Sequence, residues 1–442
     1  MAELATYKAW KSSIPMLYDW FANHHLAWPS LCCRWGGPIS HATYKDTQHL
    51  YLSERTDNSE SNLLIVAAAE VIKPRVAAAE QIINFKESEG SHHIKIKKSI
   101  LHPGEVNKIR ELPKHSHFVV THTDAKELYL WNTETQPAYI PPKPDVAPVL
   151  ATPDLILEGH EANAQFALGC STAAPCVASG GQDANVLVWN IEDYNAGSVL
   201  SGQPGGAAGP RLPNRNKLEG HTATVEDVGF KPRSSVELVS VGDDHALLVW
   251  DTRSGSKAVL RVDKAHGDND LHCVDWCGKD THYLATGAAD GSVKVWDKRR
   301  LGVNHGPLHT FTLHRQATMR VEWAPWQSGV LASGGEDGRV CVWDIHKSAP
   351  PEGESLPPSS RLPPQLLFQH MGHRAQVVDF QWHPSDHFTM VSVSEHDAGG
   401  TLQLWRINDL ITMPEEQALA ELEKHREFIL DDAAAAQPMD TT

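Results

Sequence analysis

The sequence predicts an all-β chain folded as a seven-bladed propeller, with an N-terminal α-helix and a short C-terminal helix. Three observations carry this. A His-to-Trp frame recurs six times at nearly constant spacing, an aspartate precedes the Trp by a nearly fixed interval, and four further strand-like runs lie ahead of the first frame. His102 and Trp131, His160 and Trp189, His221 and Trp250, and His314 and Trp343 stand 29 residues apart; His266 to Trp296 is 30 and His373 to Trp405 is 32. Asp183, Asp244, Asp290 and Asp337 fall six residues before their Trp, Asp124 seven and Asp397 eight.

The most regular frame is LEGHTATVEDVGFKPRSSVELVSVGDDHALLVWDTR, Leu218 to Arg253. Its marks are those of a WD repeat, in which Asp, His, Ser and the Trp indole can chain hydrogen bonds, here Asp244, His221, Ser240 and Trp250. Each bond contributes about 1 kcal/mol net, whereas a buried member left unpaired costs about 1–3 kcal/mol, so the chain of bonds fixes blade register. The repeat histidines are therefore read as framework, not as metal ligands or bases.

In chain order, residues 3 to 25 are expected to form an amphipathic helix, with Tyr7, Trp10, Ile14, Leu17 and Phe21 along one face and Pro15 kinking or dividing it. That apolar face either docks wholly on the propeller flank or leaves part of itself as one wall of a groove for a partner helix. The N-terminal element is assigned to 1–27 and the propeller to 28–411. Leu31–Trp35, His49–Ser53, Leu63–Val71 and Ile94–Ile100 supply strands for one blade without His and Trp marks. Whether Leu31–Trp35 belongs to that first blade or closes the last one stays open by counting. If it belongs to the first, the last blade has an exposed edge that the N-terminal helix can cover.

The six marked repeats lie near 102–135, 159–193, 220–254, 265–299, 314–347 and 372–409, interrupted by three inserts. Gln136–Pro153 and Ser348–Pro364 are proline-rich and Asn195–Pro213 is glycine-rich, compositions of loops and not strands. The third insert ends in Pro363-Pro364 and runs into Leu366-Leu367-Phe368. A C-terminal helix is expected over 412–430 and a disordered tail over 431–442.

Composition narrows the function classes. A net charge of −16 disfavours direct binding to bare nucleic acid and suits a basic partner or simple solubility. Seven cysteines without a CxxC pair suggest neither a zinc site nor a disulfide framework, and fit a reducing compartment. No apolar run approaches 18 residues and the N-terminus lacks an apolar signal core, so neither a membrane nor secretion is expected. No P-loop, GxSxG, HExxH or dinucleotide-binding turn is present, so neither catalysis nor a cofactor or metal is expected.

Several segments resemble one family. WKSSIPMLYDW (Trp10–Trp20), Trp28-Pro29-Ser30-Leu31, His102-Pro103-Gly104-Glu105-Val106-Asn107, Val225-Glu226-Asp227-Val228 and the run from Pro363-Pro364 to Gly372-His373 are similar to the retinoblastoma-associated, MSI-type histone-binding WD-repeat family. KPRVAAAE (Lys73–Glu80), IRELP (Ile109–Pro113), THTD (Thr121–Asp124) and DLHCVDW (Asp270–Trp276) resemble its plant and green-lineage FVE branch. The resemblance implies a non-catalytic histone-binding scaffold. It also implies service in histone deacetylase, Polycomb-type and chromatin-assembly complexes, and residence in the nucleus, with the cytoplasm open.

Two surfaces follow from the resemblance. A side groove for a helix of histone H4 is carried over onto Leu17, Phe21, Pro363, Pro364, Leu367, Phe368 and Ile411. An acidic top face for the basic tail of histone H3 is carried over onto Glu105, Phe166, Glu226, Asp243, His272 and Glu395. The chain departs from the family at Arg361 and Gln365, which replace acidic residues beside the Pro-Pro loop, and at Gln165, Ala317 and Met319 on the top face. An alternative is a substrate receptor of a cullin-4 type ubiquitin ligase. Trp250-Asp251-Thr252-Arg253 and Trp296-Asp297-Lys298-Arg299 match the WDxR box, making Arg253 and Arg299 candidate ligase-adaptor contacts.

Overall fold

In the computed structural model, residues 2–57, 59–74, 82, 84–141, 151–194, 209–302, 305–347, 362–396 and 399–424 are described. Arg361, Asp397, most of the three inserts and the C-terminal tail lie outside the described residues. Seven sheets, antiparallel but for one outer pair, follow one another along the chain, and the innermost strand of each touches that of the next around a closed ring. That ring is a seven-bladed propeller.

The unmarked stretch forms the first blade from Cys33–His41, Lys45–Ser53, Leu63–Ile72 and Ile94–Leu101. Cys33–His41 pairs with Lys45–Ser53, so this strand belongs to the first blade. The last blade then needs a fourth strand, and the N-terminus supplies it. Here the expected helix over 3–25 is corrected. The helix runs Ala2–Ser12 (α1), a short turn of helix follows at Ile14–Leu17 (α2), and Tyr18–Leu26 is a β-strand paired antiparallel to Gly399–Ile407. Phe21 faces Trp405 in that register. The edge is thus covered by a hydrogen-bonded strand, which satisfies backbone groups that a packed helix leaves unpaired.

The sequence repeat and the blade are offset by one strand. Asn216–Glu219 pairs with Asn185–Asn190 as the outer strand of the third blade, whereas Val225–Phe230, Glu237–Gly242 and Leu247–Asp251 build the fourth. Every repeat of this kind therefore spans two blades. One blade has five strands. The glycine-rich insert returns through Arg211–Pro213, which lies parallel to Leu155–Glu158 on the outer edge of the second blade. The loop expected there is a strand at its end.

The framework network is formed in the fourth blade as read from the sequence. His221 Nδ1 lies 2.8 Å from Asp244, His221 Nε2 lies 2.7 Å from Ser240 Oγ, and Trp250 Nε1 donates to the same hydroxyl at 2.8 Å. A Cβ at Gly220 would come within 2.9 Å of Trp250 Cη2, which is why the residue before this His lacks a side chain. His314, Asp337, Ser333 and Trp343 repeat the pattern. Elsewhere it is modified. Ser292 bridges His266 to Asp290, His102 Nδ1 meets the Gly104 carbonyl instead of Asp124, Thr401 faces His373, and Trp189 donates to the Glu158 carbonyl. Burial lowers His102 to about 4 and His266 to about 3, so both stay neutral.

Neighbouring blades are stapled near the axis by acidic and amide side chains of the inner strands. Asp227 accepts the Val274 N–H at 3.0 Å, Asp275 that of Trp323 at 2.7 Å, Asp379 that of Cys33 at 3.2 Å, and Gln381 that of Trp35 at 2.6 Å. Asp379 also accepts from Arg34 at 3.0 Å, with both side chains buried. Burial alone would raise the Asp379 carboxyl, but Arg34, Lys108, Arg320 and Arg110 hold it well below the usual range.

At the C-terminal end, Asp409–Thr412 (α3) is capped by Asn408, and Glu415–Lys424 (α4) follows. Over the described part of the expected helix 412–430 there is α4, from Glu415, while α3 ends at Thr412 and otherwise lies within the stretch assigned to the propeller.

Candidate functional site

The inner strands and the loops at one end of the ring enclose a pocket of about 400 Å³. Its walls come from blades all around the axis: Glu105, Asn107 and Lys108 from the second, Gln165 and Phe166 from the third, Glu226 from the fourth, His272 from the fifth, Met319 and Glu336 from the sixth, and Gln376 and Glu395 from the seventh. Five of the six top-face residues named from sequence meet here: Glu105, Phe166, Glu226, His272 and Glu395. Asp243 is not part of the lining; it stands near enough for its charge to act on Glu226.

The carboxylates are not equivalent. Glu226 is raised to about 7, chiefly by burial and then by the negative charge of Asp243. Asp243 is itself raised, by burial and by Asp270. One buried oxygen of Glu105 has no hydrogen-bond partner. Asp124 accepts from Asn107 at 2.7 Å. Both Glu395 oxygens have a partner: Oε1 takes the Arg55 guanidinium and Oε2 takes the Gln376 amide at 3.2 Å. Phe166, 39% exposed, offers an aromatic face at the rim. Such a chamber suits a cationic side chain on an extended chain, with carboxylates to accept its N–H groups and a ring for its flat face.

Sequence reasoning missed Arg55, Lys108, Glu336 and Gln376. Lys108 and Gln376 open the inner strands of their blades and carry no repeat mark of their own. Arg55 comes from the loop between Lys45–Ser53 and Leu63–Ile72, far from Glu395 in sequence.

On the flank, α2, the strand Leu366–His370 and α3 come together. Leu17, Leu367 and Ile411 are each half-buried against one apolar cluster, and Asn408 N–H donates to the Leu17 carbonyl at 2.9 Å. Pro363 is half-buried and Pro364 exposed at the entry to the strand. Two of the named anchors hold other positions. Phe21 is 3% exposed, against Trp10 and Phe85, and Phe368 is 6% exposed, against Tyr18 and Trp405. They are the floor beneath the groove, not its lining. Met16 and Leu362, 69% and 55% exposed, add apolar surface on the same two segments. Of the apolar face read along the N-terminal helix, Tyr7, Trp10 and Ile14 are buried and Leu17 remains half-open.

Arg253 donates to Asp251 at 2.9 and 2.7 Å, and Arg299 to Asp297 at the same distances. Both are blade-end pairs within a single turn. Asp251 is lowered to about 2 by its hydrogen bonds with Arg253.

Fold and pocket together define a seven-bladed WD-repeat propeller with an acidic end face. A family profile for the histone-binding protein RBBP4, which also covers the corresponding member of the CAF1 complex, matches residues 5–73, and the profile "WD domain, G-beta repeat" matches 213–251, 257–297 and 305–344. The chain is 45% identical over 442 residues to the WD-40 repeat-containing protein MSI4 of Arabidopsis thaliana, covering 96% of this chain and 86% of that protein. The chain belongs to the RBBP4/MSI-type family of histone-binding WD-repeat proteins.

Proposed function

We propose that this protein is a histone-binding scaffold within chromatin-assembly and chromatin-modifying complexes, of the deacetylase and Polycomb types, acting in the nucleus. Its top pocket receives the basic tail of histone H3, and its flank receives a helix of histone H4. The observation that carries the reading is the convergence of Glu105, Glu226, Glu336 and Phe166 from separate blades on one chamber. Family membership supplies the partner class. The groove beside Leu17, Leu367 and Ile411 suits burial of an apolar helix face, driven by roughly 25 cal/mol per Å² of apolar area. The ligase reading of Arg253 and Arg299 is not carried forward, because each guanidinium is engaged by the aspartate of its own WD end.

Titration of the full chain with separate H3-tail and H4-helix peptides at two salt concentrations tests this. The H3 tail should bind more weakly at high salt and lose about tenfold, or about 1.4 kcal/mol, on Glu226→Gln with Asp243→Asn. The H4 helix should keep its affinity in salt and in that variant, and lose it on Leu367→Ala with Ile411→Ala. Equal H3 binding by the acidic variant and the parent would sink the top-face assignment. Phe368→Ala is a poor probe of the groove, because it opens the core.

A further inference from the structure

The top pocket already holds a guanidinium of the protein's own. Arg55 reaches across from the first blade to Glu395 of the seventh, while its Nε donates to Asp57 at 3.2 Å and its backbone N–H to the Pro29 carbonyl at 2.9 Å. The loop is thus anchored on both sides of the side chain. Glu395 is 16% exposed, with one oxygen on Arg55 and the other on Gln376. A second cation that approaches that carboxylate meets the Arg55 charge and competes with it. Across the ring, on the fourth blade, the balance is different. No described side chain donates a hydrogen bond to Glu226, which feels the Lys108 charge without a bond to it, whereas Glu105, on the blade beside Arg55, has one buried oxygen without a partner and already feels the Arg55 charge.

We propose that Arg55 is a specificity-determining residue that occupies the Glu395 subsite, steering the cationic side chain of a guest peptide across the ring toward Glu226. The proposal rests on the top face being the tail-binding surface and says which part of it is open. Two chemical consequences follow. The resting pocket offers fewer free negative charges than its carboxylates suggest, so it is selective against peptides that need two closely spaced cations. A guest whose second cation outcompetes Arg55 must move that guanidinium off Glu395, leaving Asp57 as its remaining carboxylate partner.

The test is a double-mutant cycle on the full chain, read by fluorescence anisotropy with an unmodified histone H3 tail peptide. Arg55→Ala should tighten binding about threefold to tenfold, and Arg55→Gln, which keeps bulk and loses charge, should do the same. Glu395→Gln should cost at least threefold more in the Arg55→Ala background than in the parent, since only there is Glu395 open to the guest. Glu226→Gln should weaken binding in both. Thermal melts of each variant establish that the fold is kept. If the parent binds and neither Arg55 variant binds tighter, or the Glu395→Gln loss is the same in both backgrounds, the proposal falls while the top-face reading stands. If the peptide binds neither the parent nor the Arg55 variants, the top-face reading falls and takes the proposal with it. Binding by the Arg55 variants alone supports both.

Discussion

Glu226 is a carboxyl whose titration reports on its role. Its folded value of about 7 exceeds the ordinary 4.5, so the folded protein holds a proton there that the unfolded chain has lost. The sign is that of a raised acid: its contribution to stability is full below 4.5 and is lost as pH rises through 7. A docked cation acts oppositely and favours the ionised form. Tail binding should therefore strengthen from pH 6 to pH 8 with release of a proton, by about tenfold, since only about one such group in eleven is ionised at pH 6. His272 lines the same pocket, so Glu226→Gln is the control; a profile equally steep in that variant would assign the dependence elsewhere. The carboxylates at Glu105, Glu226 and Glu395 were legible because they sit at offsets matching the family's segments. Arg55 was not, since nothing in a chain of 442 residues marks a loop arginine as the partner of a glutamate near the other end.

Among the elements, the strand Tyr18–Leu26 bears most on stability. Phe21 packs between Trp10, Tyr18 and Phe85 in the core that joins the first and last blades. Phe21→Ala should cost about 3–5 kcal/mol in denaturant unfolding, in line with a buried aromatic truncated in place. Leu17→Ala, half-open on the groove, should cost far less stability and act mainly on H4-helix binding; comparable losses from the two would mean that Leu17 also belongs to the core. This strand was misread for a physical reason. Its side chains are buried on both faces over Trp20–Asn23, so the alternation that distinguishes a strand is missing, and Phe21 falls by chance at helical spacing from Leu17. The marked blades were legible because each hydrogen-bonded His, Ser or Thr, and Trp demands a fixed separation. Exceptions arose where another group took a partner: Ser179 Oγ already meets His160 and His122, and Trp189 turns to a carbonyl.

At the scale of the whole ring, inner-strand side chains tie the fourth blade to the fifth, the fifth to the sixth and the seventh to the first, and Asp379 is the most heavily engaged of them. Asp379→Asn leaves Arg34 buried without its counter-charge and should destabilise by about 3–5 kcal/mol at pH 7. Because this carboxyl lies below its unfolded value, its contribution is present above the ordinary carboxylate range and is lost as pH falls through the folded value. The parent should accordingly survive to lower pH than the variant in an acid titration followed by circular dichroism; coincident curves would show that Asp379 is not what guards the ring against acid. The closing pair of strands has a further implication, for synthesis. Residues 18–26 are made before the rest of the ring and can find their partner, 399–407, only after the blades between them have been translated. Until then the nascent protein carries an unmatched strand and an open ring, an arrangement with high contact order and exposed edges. Closure of the ring must therefore wait for the last blade, and until then Tyr18–Leu26 has no strand to pair with.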